Sequence, residues 1–149
     1  RYINPFVKNT IQTFSVMLGM SAESSGMSIK KEVGTGYDAS IFVGMFGGGF
    51  YSVLFGFPGQ ILPKLEEVFC EDAQSKDGDL ADGLVELANT IVGSVKTELE
   101  TLDLKLYLLP PSVILGQSHK LLNREDIVCI QLKFSTPNGP FFVEVCVGH

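Results

Sequence analysis

Between Asp79 and Glu100 the apolar residues Leu80, Leu84, Leu87, Ala88, Ile91, Val95 and Leu99 return at intervals of three and four. That spacing gathers them on one face of a helix. Asp79 is placed to cap its start, because a carboxylate accepts the amide hydrogens of the first turn. At about 100° per residue, Asp82, Glu86, Asn89 and Gly93 project together opposite the apolar stripe, within an arc of roughly 60°. A helix packed by its stripe turns those four to solvent or to a partner. Gly93 is unfavourable in mid-helix by about 1 kcal/mol relative to alanine, and its bare backbone suits close approach by another surface.

The remaining pattern predicts shorter elements. Asn4-Pro5 opens a helix, with Asn4 as N-cap and Pro5 at the first position, where its missing N–H costs nothing. Val7, Ile11, Phe14 and Leu18 mark the buried stripe and Gly19 the stop. Strands are predicted around Met27–Val33, from Ala39 to Phe46 and from Phe50 to Phe57, the last two joined at Gly47-Gly48-Gly49. A short helix follows over about Gln60 to Cys70, with Pro63 in its first turn. Glu71 to Asp79 reads as an acidic loop, and Leu102 to Leu109 as a strand ended by Pro110-Pro111. Ser112 to Leu122 carries no readable pattern. Ile127–Phe134 and Phe141–Val147 form a hairpin across Thr136-Pro137-Asn138-Gly139, since Asn-Gly tolerates positive φ. The sum is an α+β fold, a mostly antiparallel sheet covered by helices. Helix followed by strands occurs twice, which suggests an internal duplication.

Length and composition narrow the rest. The 149 residues form one domain, with 45% hydrophobic content that fits a globular chain. A net charge of −6 and no Lys/Arg cluster argue against nucleic acid and against a membrane surface. No apolar run reaches membrane-spanning length, and no signal-peptide pattern is read at the start. Cys70, Cys129 and Cys146 are scattered and odd in number, which fits reduced, buried thiols in a cytoplasm better than a disulfide frame or a zinc site.

Candidate chemistry is sparse. Gly47-Gly48-Gly49 lacks the Lys-Ser/Thr ending of a phosphate loop and reads as a turn. His119 has no nucleophile motif beside it, and His149 is terminal. Asp72, Asp77 and Asp79 lack the closing Glu of a calcium loop. Glu86 and Asn89 stand three apart on the polar helix face, but on spacing alone a solvated face is the better reading.

A resemblance changes the weight of that pair. Asp82-x-x-x-Glu86-Leu87-Ala88-Asn89-Thr90-Ile91-Val92-Gly93 resembles the signature helix of the CheX-like chemotaxis phosphatases, the CheC/CheX/FliY group. Tyr2-Ile3-Asn4-Pro5-Phe6, Leu108-Leu109-Pro110-Pro111-Ser112-Val113-Ile114-Leu115-Gly116 with His119, and Phe142-Val143-Glu144-Val145 resemble the family's start, its Leu-Pro-x-Val-x-x-Gly segment and its last strand. The resemblance implies a CheC/CheX-like fold and a cytoplasmic phosphatase acting on a phosphorylated CheY-type receiver domain. Asn89 would orient the attacking water and Glu86 would pair with the receiver's lysine. Asp82, Val85 and Gly93 would border the docked partner. The implied protein holds no metal or cofactor of its own; Mg²⁺ is expected on the receiver. A homodimer is also implied. Val85 stands where family members commonly carry glycine, with Gly83 two places earlier. No second Glu-x-x-Asn lies between Asn4 and Leu18, so the likeness is to the single-site CheX type. The rival expectations are a non-catalytic receiver- or signalling-protein-binding module, and a dimeric small-molecule sensor with Phe42, Phe46, Phe50 and Phe55 around a cavity.

Overall fold

The computed structural model describes residues 2–30, 33–70, 76–121 and 127–148. Helix α1 spans Asn4–Leu18, α2 Leu62–Phe69 and α3 Lys76–Glu100. The strands are β1 (Glu23–Lys30), β2 (Val33–Gly47), β3 (Phe50–Phe57), β4 (Tyr107–Leu108), β5 (Ser112–Leu121), β6 (Ile127–Thr136) and β7 (Gly139–Gly148). Every strand pairing is antiparallel. Strands run β1-β6-β7-β3-β2 across the sheet, and β4 and β5 share the remaining edge of β2. Exchanging β1, β2 and β3 with β5, β6 and β7 returns the same order. The topology therefore carries the repeat of one helix and three strands that element order suggested.

Several local expectations shift. The N-cap of α1 is Ile3 without a side-chain bond, and Asn4 is already helical. Gly19 ends the helix in the left-handed conformation at φ 59°, as glycine does most readily. Asp79 lies inside α3, three residues after its start at Lys76, so it sits in the first turn near the dipole's positive end instead of capping it. Of the predicted acidic loop, the part from Lys76 on is helical, and Asp72 lies outside the described residues, as does His149. Only Tyr107–Leu108 of the Leu102–Leu109 segment is strand, because residues 101–103 are a turn with Asp103 at φ 62°. Ser112–Leu121, unreadable in sequence, is a strand paired to β2.

The larger core lies between helices and sheet. Phe14 stacks on Phe141 at 4.1 Å, and Phe134 stacks on the same ring at 4.9 Å. The buried stripe of α3, with Leu84, Leu87, Ile91, Val95 and Leu99, belongs to the same core. Phe50 and Phe55 face this core, whereas Phe42 packs on the opposite side of the sheet and Phe46 is exposed. The four phenylalanines hence surround no common cavity, because strand alternation sends them to opposite faces.

The sheet's other face has a core of its own. Tyr37, Leu54, Cys129 and Cys146 are buried there, against Phe42 and Phe142. Cys129 and Cys146 form a disulfide, contrary to the expectation of reduced thiols. The register of β6 and β7 sets them directly opposite each other, which a separation of 17 residues does not reveal. Cys70 is not disulfide-bonded. Beside the disulfide, Glu144 is fully buried. It accepts the hydroxyl hydrogen of Tyr37 and lies 3.6 Å from the ammonium of Lys30, while Gln131 donates to the Tyr37 oxygen at 2.9 Å. Tyr37 can lie flat on the sheet because Gly56 has no Cβ; one there would sit 2.2 Å from the ring.

Burial, followed by the neighbouring Glu144 carboxylate, pushes the Tyr37 phenol far above its ordinary range. Unfolded tyrosine ionises near pH 10 while the folded phenol stays neutral, so above that pH the unfolded state binds fewer protons. The stability that Tyr37 contributes is complete below about pH 10 and declines as pH rises beyond it. Urea midpoints taken from pH 8 to pH 11 should fall for the wild type, and Tyr37→Phe should show a shallower alkaline decline from a lower starting midpoint. An identical alkaline decline in the variant would remove Tyr37 as its cause.

Candidate functional site

Helix α3 is held in one rotation. Leu80, Leu84, Leu87, Ala88, Ile91, Val92, Val95 and Leu99 are buried along it. On the other side Asp82, Glu86 and Asn89 are exposed, Val85 is half-buried beside them, and Gly93 is half-buried with no atom near its missing Cβ. The structure thus sets Asp82, Glu86, Asn89 and Gly93 along one outward strip. Among the described residues, neither the Glu86 nor the Asn89 side chain has a hydrogen-bond or ion-pair partner. Their side chains are one turn apart, about 5–6 Å between Cβ atoms. Thr90 and Thr97 donate back to the carbonyls of Glu86 and Gly93 at 2.8 and 3.1 Å, which folds their hydroxyls onto the helix. The strip is therefore open, acidic at Asp82 and Glu86, and able to donate and accept at the Asn89 amide.

Two helices brace the strip. Near its start, Phe69 of α2 lies on Gly83, where a Cβ would fall 2.2 Å from the ring. Near its end, α1 runs alongside. Glu98 accepts from Lys8 at 2.8 Å and from Asn9 at 2.9 Å. These two bonds, that from Lys8 first, hold the Glu98 carboxyl below its usual range. The amide of Asn9 also donates to the Pro5 carbonyl at 2.8 Å, so α1 is tied to α3 through its own backbone. Sequence periodicity does not reveal this bracing, since Asn9 and Glu98 are 89 residues apart. Of the other candidates, the Gly47-Gly48-Gly49 segment is a hairpin turn with positive φ throughout. His119 stands in β5 opposite Tyr37. Among the described residues no group of three or more His, Cys, Asp or Glu side chains is placed to hold a metal ion. No described helix is long and apolar enough to cross a membrane.

Residues 39–135 match the family model described as chemotaxis phosphatase CheX. This chain belongs to the CheX family. The match takes in β2 from Ala39 onward, the whole of α3 and most of β6. Solved structures agree along the full length. A CheX chemotaxis protein from Desulfovibrio desulfuricans is 27% identical, with 98% of each chain covered and a TM-score of 0.87. A CheC-like superfamily protein from Shewanella sp. PV-4 is 25% identical over 99% of this chain and 97% of its own, at a TM-score of 0.85. The CheX–CheY–BeF3–Mg²⁺ complex from Borrelia burgdorferi includes a chain 24% identical over 99% of this one and 97% of its own, at 0.70; that likeness is one of fold. No curated protein matches the chain by sequence.

Two of the three α3 glycines, Gly83 and Gly93, have opposite surroundings and test this orientation. Gly93→Ala adds a methyl to open space and should raise stability by about 1 kcal/mol through helix propensity. Gly83→Ala drives a methyl into the Phe69 ring and should lower stability by about 1–3 kcal/mol. Chemical denaturation of both variants measures the difference; changes of the same sign would contradict the rotation of α3 described here.

Proposed function

We propose that this protein hydrolyses the aspartyl phosphate of a CheY-type receiver domain, with Asn89 orienting the water and Glu86 anchoring the partner. The observation that carries the reading is the exposed, unpartnered Glu86–Asn89 pair on a helix whose other side is locked in the core. The family's description as a chemotaxis phosphatase supports it, as does the solved complex of a relative of the same fold with CheY and Mg²⁺.

An aspartyl phosphate is a mixed anhydride. Hydrolysis forms a bond from a water oxygen to phosphorus while the bond from phosphorus to the aspartate oxygen breaks, releasing the carboxylate, phosphate and a proton. A receiver's own cation and lysine spread the phosphoryl charge, so the partner's remaining task is to place the water in line. The Asn89 amide accepts one hydrogen of that water, or donates to its oxygen, without a basic nitrogen. Glu86 meets the receiver lysine in a charge-assisted contact, stronger than a neutral one. The rigidity of α3 keeps the two side chains in register with a single partner cleft. Asp82, Val85 and Gly93 border that contact, the bare Gly93 allowing the receiver's backbone to come close. The Mg²⁺ belongs to the receiver.

Single-turnover decay of a phosphorylated CheY-type receiver, with and without the protein, tests the reading. The protein should speed decay, and Asn89→Ala should return it to the spontaneous rate while changing folding stability by no more than about 0.5 kcal/mol, since the site is exposed and polar. Full activity in Asn89→Ala would overturn the mechanism. Binding with no faster decay would leave a docking module on a phosphatase scaffold.

A further inference from the structure

The strip on α3 is too narrow to hold a protein partner by itself. A stable interface covers about 800 Å² on each side. The strip from Asp82 to Gly93, at 1.5 Å rise per residue and a helix width of 10–12 Å, offers roughly 200 Å² in projection. A receiver that reaches Asn89 must also rest on whatever flanks the helix. On the α2 side the outward residues include Lys64, Glu66 and Glu67, two of them joined in an ion pair at 3.5 Å. On the α1 side lies a groove of about 250 Å³. Its apolar wall is Val16 and Met17, and its rim is Gln12, Thr13, Thr90 and Ser94. Every one of these is uncharged.

An exposed valine alone signifies little. Here Val16, 78% exposed, lines a groove that is also lined by Thr90, the residue next to Asn89. The groove and the Asn89 amide are therefore parts of one continuous surface, and the groove supplies the uncharged, partly apolar area that the acidic strip lacks. Interface centres are depleted in charge and enriched in apolar contact.

We propose that the phosphorylated receiver docks across both helices, seating an apolar side chain against Val16 and Met17 in the α1–α3 groove while its phosphoryl group lies at Glu86 and Asn89. The inference rests on the phosphatase reading of α3 and names where the partner's affinity comes from. Asn89 then governs the rate of the bound complex, and Val16 governs how much receiver is needed to fill it.

The test is a titration of receiver, phosphorylated by a small-molecule phosphodonor, against wild type, Val16→Lys, Val16→Thr and Asn89→Ala, with calorimetric binding of the beryllofluoride-loaded receiver in parallel. Val16→Lys should raise the half-saturating receiver concentration and the dissociation constant at least tenfold and leave the maximal rate within about twofold. Val16→Thr, similar in shape, should give a smaller shift in the same direction. Asn89→Ala should do the reverse, losing rate and keeping affinity. Unchanged half-saturation and binding in Val16→Lys would overturn the groove proposal while leaving the phosphatase standing. Binding without acceleration by wild type, weakened tenfold in Val16→Lys, would overturn the phosphatase reading and retain the groove as the docking site. A Val16→Lys variant that changed only the chain's own oligomeric state would assign the groove to a second copy and overturn the proposal.

Discussion

Everything proposed for the surface depends on the burial of one side of α3. Its stripe from Leu80 to Leu99 shares one core with an aromatic stack of Phe14, Phe134 and Phe141. Fully burying a leucine-sized side chain contributes about 1.5–3 kcal/mol, and eight buried positions leave no other rotation that is nearly as favourable. The polar strip is thus oriented by what it is not part of. Because side chains three residues apart share a face, rotation of the helix carries Glu86 and Asn89 outward together. A site of this kind needs rigidity, and here rigidity comes from an apolar interface on the far side of the same helix.

The sheet beneath is stabilised from both faces. Strand β7 alternates Phe141, Val143 and Val145 toward the helices with Phe142, Glu144 and Cys146 away from them. The outward set would ordinarily meet water. Instead the Tyr37 ring covers Gly56 and reaches Glu144, with Lys30 completing the charge balance from the edge strand. A buried carboxylate of this kind is tolerable only because its oxygens have partners, since removing one member of such a pair leaves an uncompensated charge. The Cys129–Cys146 bridge ties β6 to β7 in the same layer. The central strands are therefore firm supports for the helical layer in which the polar strip lies.

The two halves of the fold share a plan and differ in use. Each contributes a helix and three strands, and the strand order is unchanged by exchanging them. Helix α3 carries the acidic and amide groups, whereas α1 offers Lys8 and Asn9 to brace it and Val16 and Met17 to wall the groove. Symmetry of topology brings the two helices side by side, and asymmetry of sequence lets one supply chemistry and the other supply surface.

The sequence alone determined the long helix, its buried stripe and the co-facing of Glu86 with Asn89, because a helix's faces follow from spacing within a few turns. It also determined the hairpins at Gly47-Gly48-Gly49 and Asn138-Gly139, where glycine's freedom at positive φ is a local requirement. What depends on pairing across distance was not legible. The strand at Ser112–Leu121 exists because β2 offers it an edge, and no alternation within it announced this. The disulfide exists because antiparallel register sets Cys129 against Cys146. Buried Glu144 is satisfied by Tyr37, 107 residues away. The groove beside Asn89 exists because α1 packs against α3, and Val16, read in sequence, is one valine off the stripe. Local order is written in local spacing; register, packing and the shape of a docking surface are decided only when distant segments meet.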